Sequence, residues 1–143
     1  MRRPLTLADW RALVRATAAQ LVIAAAIRLV PFSRLVRAID RHAKGSDPSE
    51  GSDPSGTCSR AVWAIDATGH RLGRFSTCLT RALAARWMTG RLGRPVPVTI
   101  GIARTRDGAL DAHAWIGAAR AATYTPLLSL EGSRAHGSAA QPR

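Results

Sequence analysis

The apolar residues of this chain change their spacing once, between Gly90 and Val96. Ahead of that break they recur at helical intervals, with Leu79, Leu83 and Trp87 on one stripe. Beyond it they alternate. Val96, Val98, Ile100 and Ile102 fall on one face, and Leu110, Ala112, Ala114 and Ile116 share a face opposite Asp111, His113 and Trp115. Gly90, Gly93 and Pro95 end the helical pattern, and Pro97 pushes the first strand toward a sheet edge, because proline cannot donate to a ladder. Asp107-Gly108 signals a hairpin turn. A second turn around 117–120 leads to a third strand over 123–130. Helices followed by hairpin-linked strands predict an α+β fold, with one helix, about 78–89, packed on a small antiparallel sheet and other helices ahead of it.

Those leading helices are legible from what they lack. No Gly or Pro occurs between Thr6 and Val30, so residues 5–30 read as one helix; Pro31 ends it, and 32–42 forms a second with Leu35, Val36 and Ile39 as its apolar side. The uncharged run 16–27 has 12 residues, and a membrane span needs about 20. A buried or interfacial helix is expected, with membrane-surface contact the lesser reading. The pentamer Gly-Ser-Asp-Pro-Ser occurs at 45–49 and again at 51–55, with nothing apolar to anchor it. Four segments result: an N-terminal helical segment 1–44, a flexible linker 45–56, a domain 57–131 and a disordered tail 132–143. Within the domain a short helix is expected at 59–67, carrying Val62, Trp63 and Ile65 and ending near Gly69.

The 143 residues carry a net charge of +12, and since 45–56 holds three acids and no base, the other 131 residues carry +15. Lys44 is the only lysine. Such a surface favours acidic partners. The arginines never form a block of five and aromatics are 5%, which argues against a base-stacking platform and specific nucleic-acid binding. With two cysteines and scattered histidines there is no metal-ligand spacing; neither metal nor organic cofactor is expected. No cleavable secretory signal is evident, so reduced thiols and a cytoplasmic location are expected.

Cys78 stands where a loop becomes a helix, and His113 lies 35 residues on, in a strand pattern. A thiol must be a thiolate to attack a carbonyl, and the unpaired N–H groups and dipole of a helix start favour that anion. Thr77 or Ser76 as N-cap puts Cys78 in the first turn, its N–H available to an oxyanion. An imidazole nearby takes the thiol proton and returns it to the leaving amine. The plain alternative is a buried small hydrophobe and an ordinary strand histidine. His42, His70 and His136 are weaker candidates: His70 lies in a loop, and the other two border the linker and the tail.

The words around the pair decide between these. Cys78-Leu79-Thr80-Arg81-Ala82-Leu83, then Leu92-Gly93-Arg94-Pro95-Val96, Ile100-Gly101-Ile102, Ala112-His113-Ala114-Trp115-Ile116 and Tyr124-Thr125-Pro126-Leu127 resemble the transglutaminase-like leader peptidases of lasso-peptide maturation over about 60–130. The resemblance implies a papain/transglutaminase-like fold and a cysteine peptidase that removes the leader from a ribosomally made precursor peptide, with Cys78 as nucleophile and His113 as general base. It also implies a separate leader-recognition protein and a lasso cyclase as partners. An acid on the strand after the histidine should complete a triad. Here Gly117 stands two positions after Trp115, and the only acid between His113 and Gly132 is Glu131. The third triad member therefore stays unknown, with Asp111, Thr123, Asp66 or a backbone carbonyl as candidates. A non-catalytic basic adaptor and a thiol-dependent acyl transferase are the rival readings.

Overall fold

The computed structural model describes residues 4–44, 54–116 and 124–130. Four α-helices come first: α1 (Leu7–Leu29), α2 (Phe32–Lys44), α3 (Pro54–Leu72) and, after a 3₁₀ turn at Gly73–Phe75, α4 (Cys78–Gly90). Three strands follow, β1 (Val98–Arg104), β2 (Leu110–Ile116) and β3 (Thr125–Leu130), so the fold is α+β as the change of period predicts.

Helix α4 is the axle. It touches α1, α2 and α3 on one side and β1 and β2 on the other. Ala16, Ala19 and Ile23 of α1, Leu35 and Ile39 of α2, and Ala64 and Ile65 of α3 close around its Leu83, Ala84 and Ala85. Alanines at so many of these positions let helix backbones approach closely. On the sheet side Ala82 packs with Val98 and Ala114. Helices from both sides of 45–53 thus share one core.

Polar groups fix the junctions that the alanines cannot. Gln20 is fully buried in α1 and its amide donates to Thr68 Oγ1 at 2.7 Å and to the Ile65 carbonyl at 3.2 Å, while Ser76 donates to its oxygen. That network pins the turn entering α4 against α1. Arg86, buried in α4, pairs with Asp40 of α2 at 3.0 Å and donates to the carbonyls of Val96 and Leu130, each at 3.0 Å. It ties a helix to the start of β1 and the end of β3. Thr6 and Asp9 form a reciprocal capping box that starts α1.

Several boundaries differ from the sequence expectation. Helix α3 begins at Pro54 rather than at 59, so 54–56 is helix and not linker, and it continues through Gly69 to Leu72. A Cβ at Gly69 would lie 3.0 Å from Arg81 Nε and from Ser76 Oγ. Glycine is there for close approach, not to stop the helix. Strand β1 is central, in the order β2-β1-β3, with Pro97 just before the ladder. Proline's edge preference is met instead by Pro126 on β3, where the register shifts between Ile100 and Gly101. The Asp107-Gly108 turn forms as expected, with Gly108 at φ +84° and its N–H bonded to the Thr105 carbonyl. The linker 45–53, the turn at 117–120, Thr123 and the tail lie outside the described residues.

Candidate active site

Thr77 caps α4: its hydroxyl accepts from the Thr80 N–H at 3.2 Å, so Cys78 is the first helical residue. The first-turn N–H groups of Cys78 and Leu79 have no acceptor within the helix. Partial positive charge therefore surrounds a half-buried thiol.

Cys78 and His113 line one cleft of about 270 Å³. Its walls are Val62, Ile65 and Asp66 of α3, the Cys78–Ala85 side of α4, and β2 from His113 to Ile116. Because β2 is an edge strand, this wall is the outer border of the sheet. Arg81, one turn beyond Cys78, pairs with Asp66 inside the cleft. A thiol, an imidazole and a guanidinium–carboxylate pair thus share a small part-apolar space. That set can form a thioester with an acyl group and protonate the amine that leaves.

Cys58 is in a different setting. It lies on α3, and burial pushes its thiol above the ordinary range, with Arg94 opposing the shift only in part. A raised thiol is a poor nucleophile at neutral pH.

Asp111 does share a sheet face with His113, as the alternation predicts. Among the described residues, however, its hydrogen bond goes elsewhere: the Tyr124 hydroxyl donates to Asp111 Oδ2 at 2.6 Å. Asp66, another candidate orienter, is engaged by Arg81. His113 instead has aromatic neighbours. Its ring centroid is 5.2 Å from Tyr124 and 6.2 Å from Trp115, the latter stacked at 18°. The Asp111 hydrogen bond first, then desolvation and the Asp111 charge, hold the Tyr124 proton on, so the phenol titrates above its usual range. Sequence reasoning passed over Tyr124 except as one letter of a resembling word. The available signal was that it is the chain's single tyrosine, two residues before Pro126.

A profile of the transglutaminase-like superfamily matches residues 19–126, from Ala19 in α1 to Pro126 at the start of β3. No curated protein and no solved structure gives a significant match.

Proposed function

Since this chain belongs to the transglutaminase-like superfamily, which includes cysteine peptidases, we propose that it is a cytoplasmic cysteine peptidase that removes the leader from a ribosomally made lasso-peptide precursor. The observation that carries the reading is the single cleft holding Cys78 at a capped helix start and His113 on an edge strand. His113 takes the Cys78 proton, and Sγ bonds to the scissile carbonyl carbon, its oxyanion facing the first-turn N–H groups. The C–N bond then breaks as His113 protonates the departing amine of the core peptide. Water attacks the thioester, releases the leader carboxylate and restores the thiol. Among the described residues no strand pairs with the outer edge of β2, and that edge suits an extended peptide, which adds as a further strand.

The freed N-terminus is then available to a separate cyclase. Recognition of the leader falls to a partner protein, and a surface on the far side of α4 suits one. A groove of about 880 Å³ runs between α1, α3 and α4, lined by Ala12, Ala18, Val22 and Met88 together with Arg11, Arg15, Arg60 and Arg91. Beside it α1 leaves Trp10, Val14 and Leu29 at 56%, 63% and 82% exposure. An acidic partner with an apolar ridge complements both features.

The test is incubation of precursor peptide with this chain and the recognition protein, followed by mass spectrometry of the products. Release of leader with a free carboxylate supports the peptidase. In the presence of a primary amine, a leader amide in place of the acid identifies acyl transfer, which the same nucleophile and base also permit. An intact precursor under all conditions leaves the non-catalytic adaptor.

A further inference from the structure

The cleft poses a question that the Cys78–His113 pair leaves open: what holds the imidazole. The row of residues across the sheet supplies an answer. Ala103 of β1 pairs with Asp111 of β2, and Ile102 pairs with Thr125 of β3. Tyr124, one step before Thr125, therefore stands beside Ala103, with Asp111 on that alanine's other side. Alanine's short side chain leaves a trough across the central strand, and the Tyr124 hydroxyl crosses it to reach Asp111 Oδ2 at 2.6 Å. Gly101, which pairs directly with His113, deepens the trough. A Cβ there would sit 2.9 Å from the Trp115 ring and 2.7 Å from the Thr125 carbonyl oxygen. Two small residues on the middle strand thus admit two aromatic rings, and His113 lies against both.

We propose that Tyr124, anchored across the central strand by Asp111, is the positioning residue for His113, serving where a triad would use a hydrogen-bonding acid. The inference rests on the peptidase reading, since it presumes that His113 works with Cys78. Ring contacts on the imidazole limit its rotation, which a lone strand histidine would otherwise keep. The faces of Tyr124 and Trp115 also favour the imidazolium formed when the thiol proton is taken, through attraction of a cation to an aromatic quadrupole. Asp111 acts through Tyr124: its hydrogen bond fixes the phenol ring, and its charge keeps the phenol protonated. The other ionisable groups at the cleft are Cys78 and Arg81 from α4 and Asp66 from α3, the last two paired with each other. The β1 residues on this face, Thr99, Gly101 and Ala103, contribute no charge.

A merely structural cluster and a positioning cluster differ in one readout, the pH dependence of Cys78 reactivity. Iodoacetamide alkylation, resolved peptide by peptide, is followed from acid to alkaline pH on the full chain. The panel is wild type, His113→Ala, Tyr124→Leu, Tyr124→Phe and Asp111→Asn. Wild type should label Cys78 in the mildly acidic range as a thiolate–imidazolium pair, and His113→Ala should lose that acidic limb. Tyr124→Leu should move the limb up by about one pH unit, leaving about 10-fold less thiolate at a given acidic pH. Tyr124→Phe and Asp111→Asn, which keep a ring beside His113, should move it in the same direction by less. With precursor, kcat for Tyr124→Leu should fall by about 10²-fold with KM little changed. Should Tyr124→Leu not fold, the two milder variants carry the test. If the Tyr124 and Asp111 variants all coincide with wild type while His113→Ala does not, the positioning role is wrong and the peptidase reading stands. If His113→Ala also coincides with wild type, both fall.

Discussion

Cys58 and Cys78 are the same functional group in two environments. Burial raises the Cys58 thiol, whereas Cys78 opens a capped helix with unpaired N–H groups around it. Iodoacetamide at neutral pH should therefore label Cys78 well ahead of Cys58, and Cys78→Ala should abolish leader cleavage while Cys58→Ala keeps it. Faster labelling of Cys58 would reverse the assignment. Gly101 gives a second prediction. A methyl group at this position meets backbone on one side and the Trp115 ring on the other, so Gly101→Ala should cost about 1–3 kcal/mol in denaturant unfolding, as overpacking does. A neutral or stabilising effect would show that the Thr125 carbonyl and the Trp115 ring can give way to a methyl group. At this scale the sequence was informative about Cys78, because a cap, a thiol and an apolar stripe are local features. It could not show where Asp111 points. That depends on Tyr124, which stands one residue before the strand paired to the other side of β1.

Among the elements, α1 carries more of the site than its distance in sequence suggests. Gln20 links it to Thr68 and Ile65 of α3 and to Ser76, two residues ahead of Cys78. Replacing Gln20 with Leu removes the acceptor of the Ser76 hydroxyl and the amide donor to Thr68 Oγ1, and urea unfolding should show a loss of about 1–3 kcal/mol. An unchanged midpoint would mean that the network has no net worth. Arg86 holds the other end of α4. Arg86→Met removes bonds to Val96 and Leu130 carbonyls and to Asp40, and the expected cost is about 3 kcal/mol, read the same way. Neither residue stood out in the sequence. A glutamine inside an alanine-rich helix and an arginine among many arginines look like solvated positions until their neighbours are known. Strand order was equally hidden, since alternation gives each strand a face but not its place in the sheet. The period change, the hairpin at Gly108 and the ends of α1 were local, and the sequence located them within a few residues.

At the scale of the molecule, the fold presents two surfaces on opposite sides of α4 that differ in character. One is the small cleft with the thiol; the other is the wide arginine-flanked groove beside the exposed face of α1. α1 has 23 residues and a mean hydropathy of 1.6 over its most apolar window, long and apolar enough to span a bilayer, yet Ala16, Ala19 and Ile23 belong to the shared core. Its outward side is what remains for a partner. The double variant Arg11→Glu, Arg15→Glu should weaken stimulation by the recognition protein by about 10-fold or more and leave Cys78 alkylation unchanged. Added salt should weaken stimulation of the wild type in the same direction. Stimulation unaffected by both would move the partner to another surface.

In the proposed reaction Cys78 takes the leader's acyl group before water does. Rapid acid quenching of the chain during turnover of precursor, followed by mass spectrometry of the digested protein, reads this directly. A thioester-linked leader fragment is expected on the peptide containing Cys78, absent from Cys78→Ala, which should also release no core peptide. Turnover by Cys78→Ala, or an adduct on any other residue, would contradict it.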